Sequence, residues 1–175
     1  MIDNQDVETY FRVHGTINID NDIVNVDGFL TLTRVTEKIP FQFGKVTGDF
    51  YIDYANLTTL VGCPKTVGGD FNCSDNELTS LVGGPKTVGG SYRCYDNPIT
   101  SLDGLPDTVG KFFIINWNET IPLLKLVKFN YVDIFNKWSL TEIIQKHCGQ
   151  KPLRQAIIQC QRELIDAGFK GNAKL

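Results

Sequence analysis

Two spaced aspartates, two histidines and five cysteines are the residues of this chain whose types could do chemistry. Asp75 and Asp96 stand 21 positions apart and share one column of a repeating pattern, so adjacent copies of a unit would bring their carboxylates together. Such a pair is the raw material of acid–base glycoside chemistry, which also needs an enclosing pocket for the sugar. On an open sheet the pair reads instead as part of a polar face. His14 and His147 lie in different segments without a fixed partner, and His147 falls on the apolar stripe of its own segment, where packing is expected. Cys63, Cys73, Cys94, Cys148 and Cys160 include no CxxC pair and no Cys/His group at zinc spacing. Cys73 and Cys94 share a column with Ile52 and Ile115, which makes them small hydrophobes in an apolar ladder. Asp20-Asn21-Asp22 with Asp27-Gly28 has neither the spacing nor the terminal Glu of an EF-hand, and reads as turn chemistry. The sequence holds no P-loop, GxGxxG, GxSxG or HExxH. The expectation is a protein that is not an enzyme, with no catalytic residues, metal or cofactor.

What positions these residues is a repeat. Phe50, Phe71, Tyr92 and Phe113 are 21 residues apart, and Leu57/Leu78/Ile99, Leu60/Leu81/Leu102, Pro64/Pro85/Pro106 and Val46/Val67/Val88/Val109 follow the same step. A fixed period near 20 residues means one small unit stacked on copies of itself, offering an extended surface. Within each unit the aromatic and the residue two positions later alternate as a short strand does. Asn76, Asn97 and Asn118 form a column at the strand's end, where an inward Asn side chain would bond the backbone of neighbouring rungs. Ala55 breaks that column in the first unit, so a bulge is expected there. Pro and Gly-Gly turn the chain into the next strand, and the short connections leave room for turns but not for an α-helix.

These units resemble the leucine-rich-repeat pattern LxLxxNxLxxL, with Phe71-x-Cys73-x-x-Asn76-x-Leu78-x-x-Leu81 and Tyr92-x-Cys94-x-x-Asn97-x-Ile99-x-x-Leu102 matching position by position. The resemblance covers residues 29–122. The wording LTSLVGGPKTVGGSYRC is similar to small leucine-rich-repeat-like proteins of tailed bacteriophages, which combine a short array with a helical tail. That resemblance implies a viral protein acting in a bacterial cytoplasm.

The expected fold is therefore α+β: a short leucine-rich-repeat-like β-solenoid of four to five rungs over 29–122, between two caps. The N-terminal cap, 1–28, is a short helix within 3–12 and a hairpin of 16–19 with 23–26. Residues 29–35 alternate as a further strand. The C-terminal cap, 123–175, is expected to be three helices. Leu124, Val127, Tyr131, Ile134 and Trp138 give the first its 3-4 spacing. Ser139-Leu-Thr-Glu142 reads as a capping box for the second, stopped by Gly149, and Pro152 opens a third that Gly168 ends. No apolar run reaches the 18 residues of a membrane helix. The acidic start Met1-Ile2-Asp3-Asn4-Gln5-Asp6 is unlike a secretory signal, so a cytoplasmic location is expected.

Charge divides the chain. Residues 1–120 carry 8 Lys/Arg against 16 Asp/Glu, a balance of −8, and residues 121–175 carry 9 against 4, a balance of +5. An acidic array does not suit phosphate backbones, which need clustered Lys and Arg. The outward strand positions, expected to line a concave sheet, are Tyr51, Asp53, Tyr54; Asn72, Ser74, Asp75; Arg93, Tyr95, Asp96; and Asn116, Trp117 beside Ile114. Aromatics mixed with carboxylates and one Arg are the composition of a protein-binding hot spot that a basic partner would complement. The expected function is a non-enzymatic interaction module, a phage protein that binds and blocks a bacterial host defence protein. The alternative is a virion or assembly component docking through the basic C-terminal helices.

Overall fold

The computed structural model describes residues 2–175. Asp3 and Asp6 form a reciprocal capping box that starts α1 (Asn4–Tyr10), and Val7 on its inner face is buried. A hairpin follows, β1 (Phe11–Asp20) against β2 (Ile23–Leu32), paired without a slip from Phe11↔Leu32 to Asp20↔Ile23. Asn21 and Asp22 both have positive φ, 50° and 59°, which is the two-residue turn whose twist suits a hairpin. This is the turn chemistry expected of the Asp20-Asn21-Asp22 run.

The repeats build two parallel ladders. One is β3 (Gln42–Val46), β5 (Thr66–Val67), β7 (Thr87–Val88) and β9 (Thr108–Val109). The other is β4 (Phe50–Tyr51), β6 (Phe71–Asn72), β8 (Tyr92–Arg93) and β10 (Phe112–Asn116), extended by β11 (Tyr131–Phe135). The ten-residue β2 starts both, pairing β3 through Ile23–Val26 and β4 through Leu30–Thr31. Residues 29–32 are thus the second half of β2 and not a strand of their own. With the rung of β2 and four coils of two strands each, the molecule is a parallel β-solenoid of about five turns with helices at its ends.

Close stacking at the corner between the ladders explains the glycines. A Cβ at Gly89 would lie 2.1 Å from the Gly68 carbonyl oxygen, and one at Gly110 would lie 2.0 Å from that of Gly89. Inside, the aromatic column is continuous: ring centroids are 6.0 Å apart for Phe50–Phe71, 4.8 Å for Phe71–Tyr92 and 5.3 Å for Tyr92–Phe113. Phe129 then stacks on Phe113 at 5.0 Å and closes the column. The leucine and valine columns are buried, as are Ile52, Cys73, Cys94 and Ile115.

The C-terminal segment differs from a three-helix cap. Leu123–Leu126 form one 3₁₀ turn, and Tyr131–Phe135 add β11 to the sheet; only α2 (Trp138–His147) and α3 (Leu153–Asp166) are α-helices. The 3-4 spacing of Leu124 to Trp138 coincides with a period-two pattern, Val132 and Ile134 buried around Asp133, and β-branched residues beside an open ladder edge take the strand. Trp138, counted on the apolar stripe, is 74% exposed. The capping box at Ser139–Glu142 is not formed, because α2 already begins at Trp138 with Lys137 as its N-cap. Gly149 and Gly168, at φ 65° and 90°, stop the two helices.

Candidate functional site

The register of the second ladder places Thr31, Tyr51, Asn72, Arg93, Ile114 and Asp133 in one outward column, with rungs about 4.8 Å apart. Two carboxylates at the corner organise its middle. Asp49 accepts the Asp70 N–H at 2.7 Å with one oxygen and the Tyr51 hydroxyl at 2.9 Å with the other. Asp70 repeats the device, accepting the Ser91 N–H at 2.8 Å and the Arg93 guanidinium at 2.8 Å. Burial, then the Asp49 hydrogen bond, pushes the Tyr51 hydroxyl up to about 12, so it remains a donor. Burial alone would raise Asp70, but the Ser91 N–H and the Arg93 charge outweigh it and hold its carboxyl below the ordinary value. Sequence reasoning missed this ladder. Its signal was the 21-residue step from Asp49 to Asp70, immediately before each aromatic.

The next column holds Asp53, Ser74, Tyr95, Asn116 and Phe135. Ser74, expected on the accessible face, is fully buried, its hydroxyl donating to Asn72 Oδ1 at 2.7 Å. Tyr95 is stacked on Phe135 at 4.7 Å. Burial, with the nearby Asp75 charge, raises the carboxyl of Asp53 above its usual value.

Beyond the strand ends, Tyr54, Asp75 and Asp96 adopt left-handed backbone at φ 52°, 55° and 51°. Aspartate tolerates that region, whereas tyrosine rarely occupies it. Tyr54 is 72% exposed, and the Asp75 charge is the first cause of its raised hydroxyl pKa. Asp75 Oδ2 is buried with no hydrogen-bond partner among the described residues. Asp96 is exposed and tied to Asn116, whose amide donates to Asp96 Oδ1 at 3.1 Å. Trp117 belongs to a different environment. Its indole N–H donates to Asn172 at 3.4 Å, and the Lys137 ammonium sits 4.5 Å over its ring.

The asparagine column beneath this face works at two of its three positions. Asn76 Oδ1 accepts the N–H groups of Ala55 (3.1 Å) and Leu57 (2.8 Å), and its amide donates to the Ile52 carbonyl at 2.8 Å. Asn97 does the same for Leu78 and the Cys73 carbonyl. Asn118 is half-buried and its side chain bonds only locally, to Thr120; the buried Asn172 serves that rung instead, donating to the Asn118 and Ile121 carbonyls. Asn172 lies outside the repeat, and no spacing signalled it.

The other chemical candidates are structural. Burial pushes the Cys73 and Cys94 thiols well up, and each Sγ lies 3.3 Å from a backbone carbonyl of the following rung. His147 is buried and bonds Glu163 at 3.0 Å, while His14 stacks on Phe29 at 4.5 Å. The arrangement can therefore present a preorganised acidic and aromatic surface whose exposed elements are Tyr54 and Asp96, with Asp53, Asp75 and Asn72 half-buried beside them. Comparison with protein-family models, with curated proteins and with solved structures finds no match to this chain.

Proposed function

We propose that the protein is a non-catalytic interaction module that binds a basic protein surface through the outward face of its second ladder. The carrying observation is the column of Tyr54, Asp75 and Asp96. A 72%-exposed tyrosine stands in one column with carboxylates fixed by the solenoid, that of Asp96 exposed. A cationic side chain delivered by a partner would pair with the exposed Asp96 carboxylate of that column, and the rigid backbone would lower the ordering cost of binding. The leucine-rich-repeat-like and bacteriophage resemblance of the repeats supports placing that partner in a bacterial host, with blockade of a defence protein as the role.

The test is a pull-down from bacterial lysate, comparing wild type with Tyr54→Ala/Asp96→Lys and with Trp138→Ala/Arg154→Glu on the helices. A host protein kept by wild type and the helix variant but lost by the face variant, rebinding in purified form with salt-sensitive affinity, is the expected result. Loss through the helix variant alone would overturn the reading and favour docking through the basic helices.

A further inference from the structure

The two ends of the sheet are finished differently. At the C-terminal end β11 is covered: Gln145 accepts the Val132 N–H at 2.9 Å and Thr141 accepts the Ile134 N–H at 2.8 Å. At the N-terminal end β1 pairs only with β2; the Phe11 N–H is taken by the Val7 carbonyl, and from Arg12 to Asp20 the outward backbone groups have no hydrogen-bond partner among the described residues. Such an edge templates further pairing unless Lys, Pro or a bulge blunts it, and Phe11–Asp20 contains none of these.

The hairpin turn fixes which groups are free. Asp20 and Ile23 flank a two-residue turn and form the first hydrogen-bonded pair, so the even-numbered residues of β1 bond to β2. The N–H and C=O groups of Val13, Gly15, Ile17 and Ile19 therefore point outward. Their side chains, where present, are only partly buried although they pack against the core.

We infer that this edge pairs with the same edge of a second copy, antiparallel about a two-fold axis at Thr16. In that register Val13 faces the partner copy's equivalent of Ile19, and Gly15 faces that of Ile17, all with free backbone groups. Arg12 then stands directly opposite the equivalent of Asp20, twice by symmetry, at non-hydrogen-bonded positions where side chains approach most closely. Neither Arg12 nor Asp20 has a salt-bridge partner among the described residues. A self-complementary patch of this kind is what a two-fold interface requires. Two solenoids would then run outward from one shared sheet, the second ladder of each copy lying beside the first ladder of the other.

Sedimentation velocity over a range of concentrations tests this on the full chain. Wild type is expected to dimerise. Arg12→Asp should weaken the dimer by roughly tenfold, and Arg12→Asp/Asp20→Arg should restore it, because the reversed pair keeps the register. Ile17→Pro removes one outward N–H without touching the β2 pairing, and should give a monomer whose circular dichroism is unchanged. A wild type monomeric at all concentrations overturns the inference. So does a dimer indifferent to Ile17→Pro, or one that the double reversal does not rescue.

Discussion

Single side chains hold the rungs together, and the asparagine column shows how unequal equivalent positions can be. Asn76 satisfies two buried N–H groups and a carbonyl of the preceding rung, whereas the Asn118 side chain bonds only its own turn. Asn76→Ala is expected to cost about 3 kcal/mol by leaving those groups unpaired, and Asn118→Ala under about 0.5 kcal/mol, read by urea unfolding. The period alone marked both positions alike, since a column in sequence does not reveal whether a further rung exists to be capped. Asp70 gives a pH-dependent counterpart. Its carboxyl pKa is lowered in the folded state, so its contribution is present above the unfolded value of about 4 and is lost as pH falls through the folded value. Asp70→Asn should thus cost about 1 kcal/mol at pH 7, with the gap to wild type closing on acidification. Asp53 has the opposite sign. Its pKa is raised, so its ionised form opposes folding at neutral pH, and Asp53→Asn should be at least as stable as wild type there. A gap for Asp70→Asn that widens in acid would contradict the assignment.

At the scale of elements, corner geometry is stricter than any single strand. The strands are two residues long in most coils, so the ladders depend on rungs approaching closely where they turn. Gly89→Ala would push a methyl group against the Gly68 carbonyl, and should cost about 3 kcal/mol in thermal or chemical unfolding. Gly168→Ala is the control: its Cβ would meet nothing within 4 Å, so only the strain of φ 90° remains, about 1 kcal/mol. Equal costs at the two sites would refute the stacking argument. The Gly-Gly corners, the aromatic column and the hairpin were all readable from sequence, because each repeats or has a local turn signature. The strand at Tyr131–Phe135 was not. Its apolar residues satisfy both a 3-4 and a two-residue period, and what decides between them is the open edge of β10, a partner remote in sequence. On the candidate face the strand positions were legible, but the burial of Ser74 and the capture of Trp117 by Lys137 and Asn172 depend on neighbours that no repeat encodes.

For the whole molecule, a stack of rungs must end somewhere, and each end decides what the sheet can join. The C-terminal edge is closed by two side chains of α2. Gln145 and Thr141 take the outward N–H groups of Val132 and Ile134, both residues at 2% exposure or less, and Gln145 also donates to the Asn130 carbonyl at 3.0 Å. Replacing these with apolar residues of similar size, Gln145→Leu/Thr141→Val, keeps the helix and its packing but strands two buried donors. The cost should be about 2–4 kcal/mol, concentrated at this end because solenoid rungs interact mainly with their neighbours. Hydrogen exchange by NMR should show the Val132 and Ile134 amides losing protection while Tyr92 in β8 and Phe71 in β6, two and three rungs inward, keep theirs. The freed edge should also bring concentration-dependent self-association beyond any that β1 supports in wild type. If instead protection falls evenly from β4 to β11, the solenoid unfolds as one cooperative unit and the covering by α2 serves global stability rather than closing an edge.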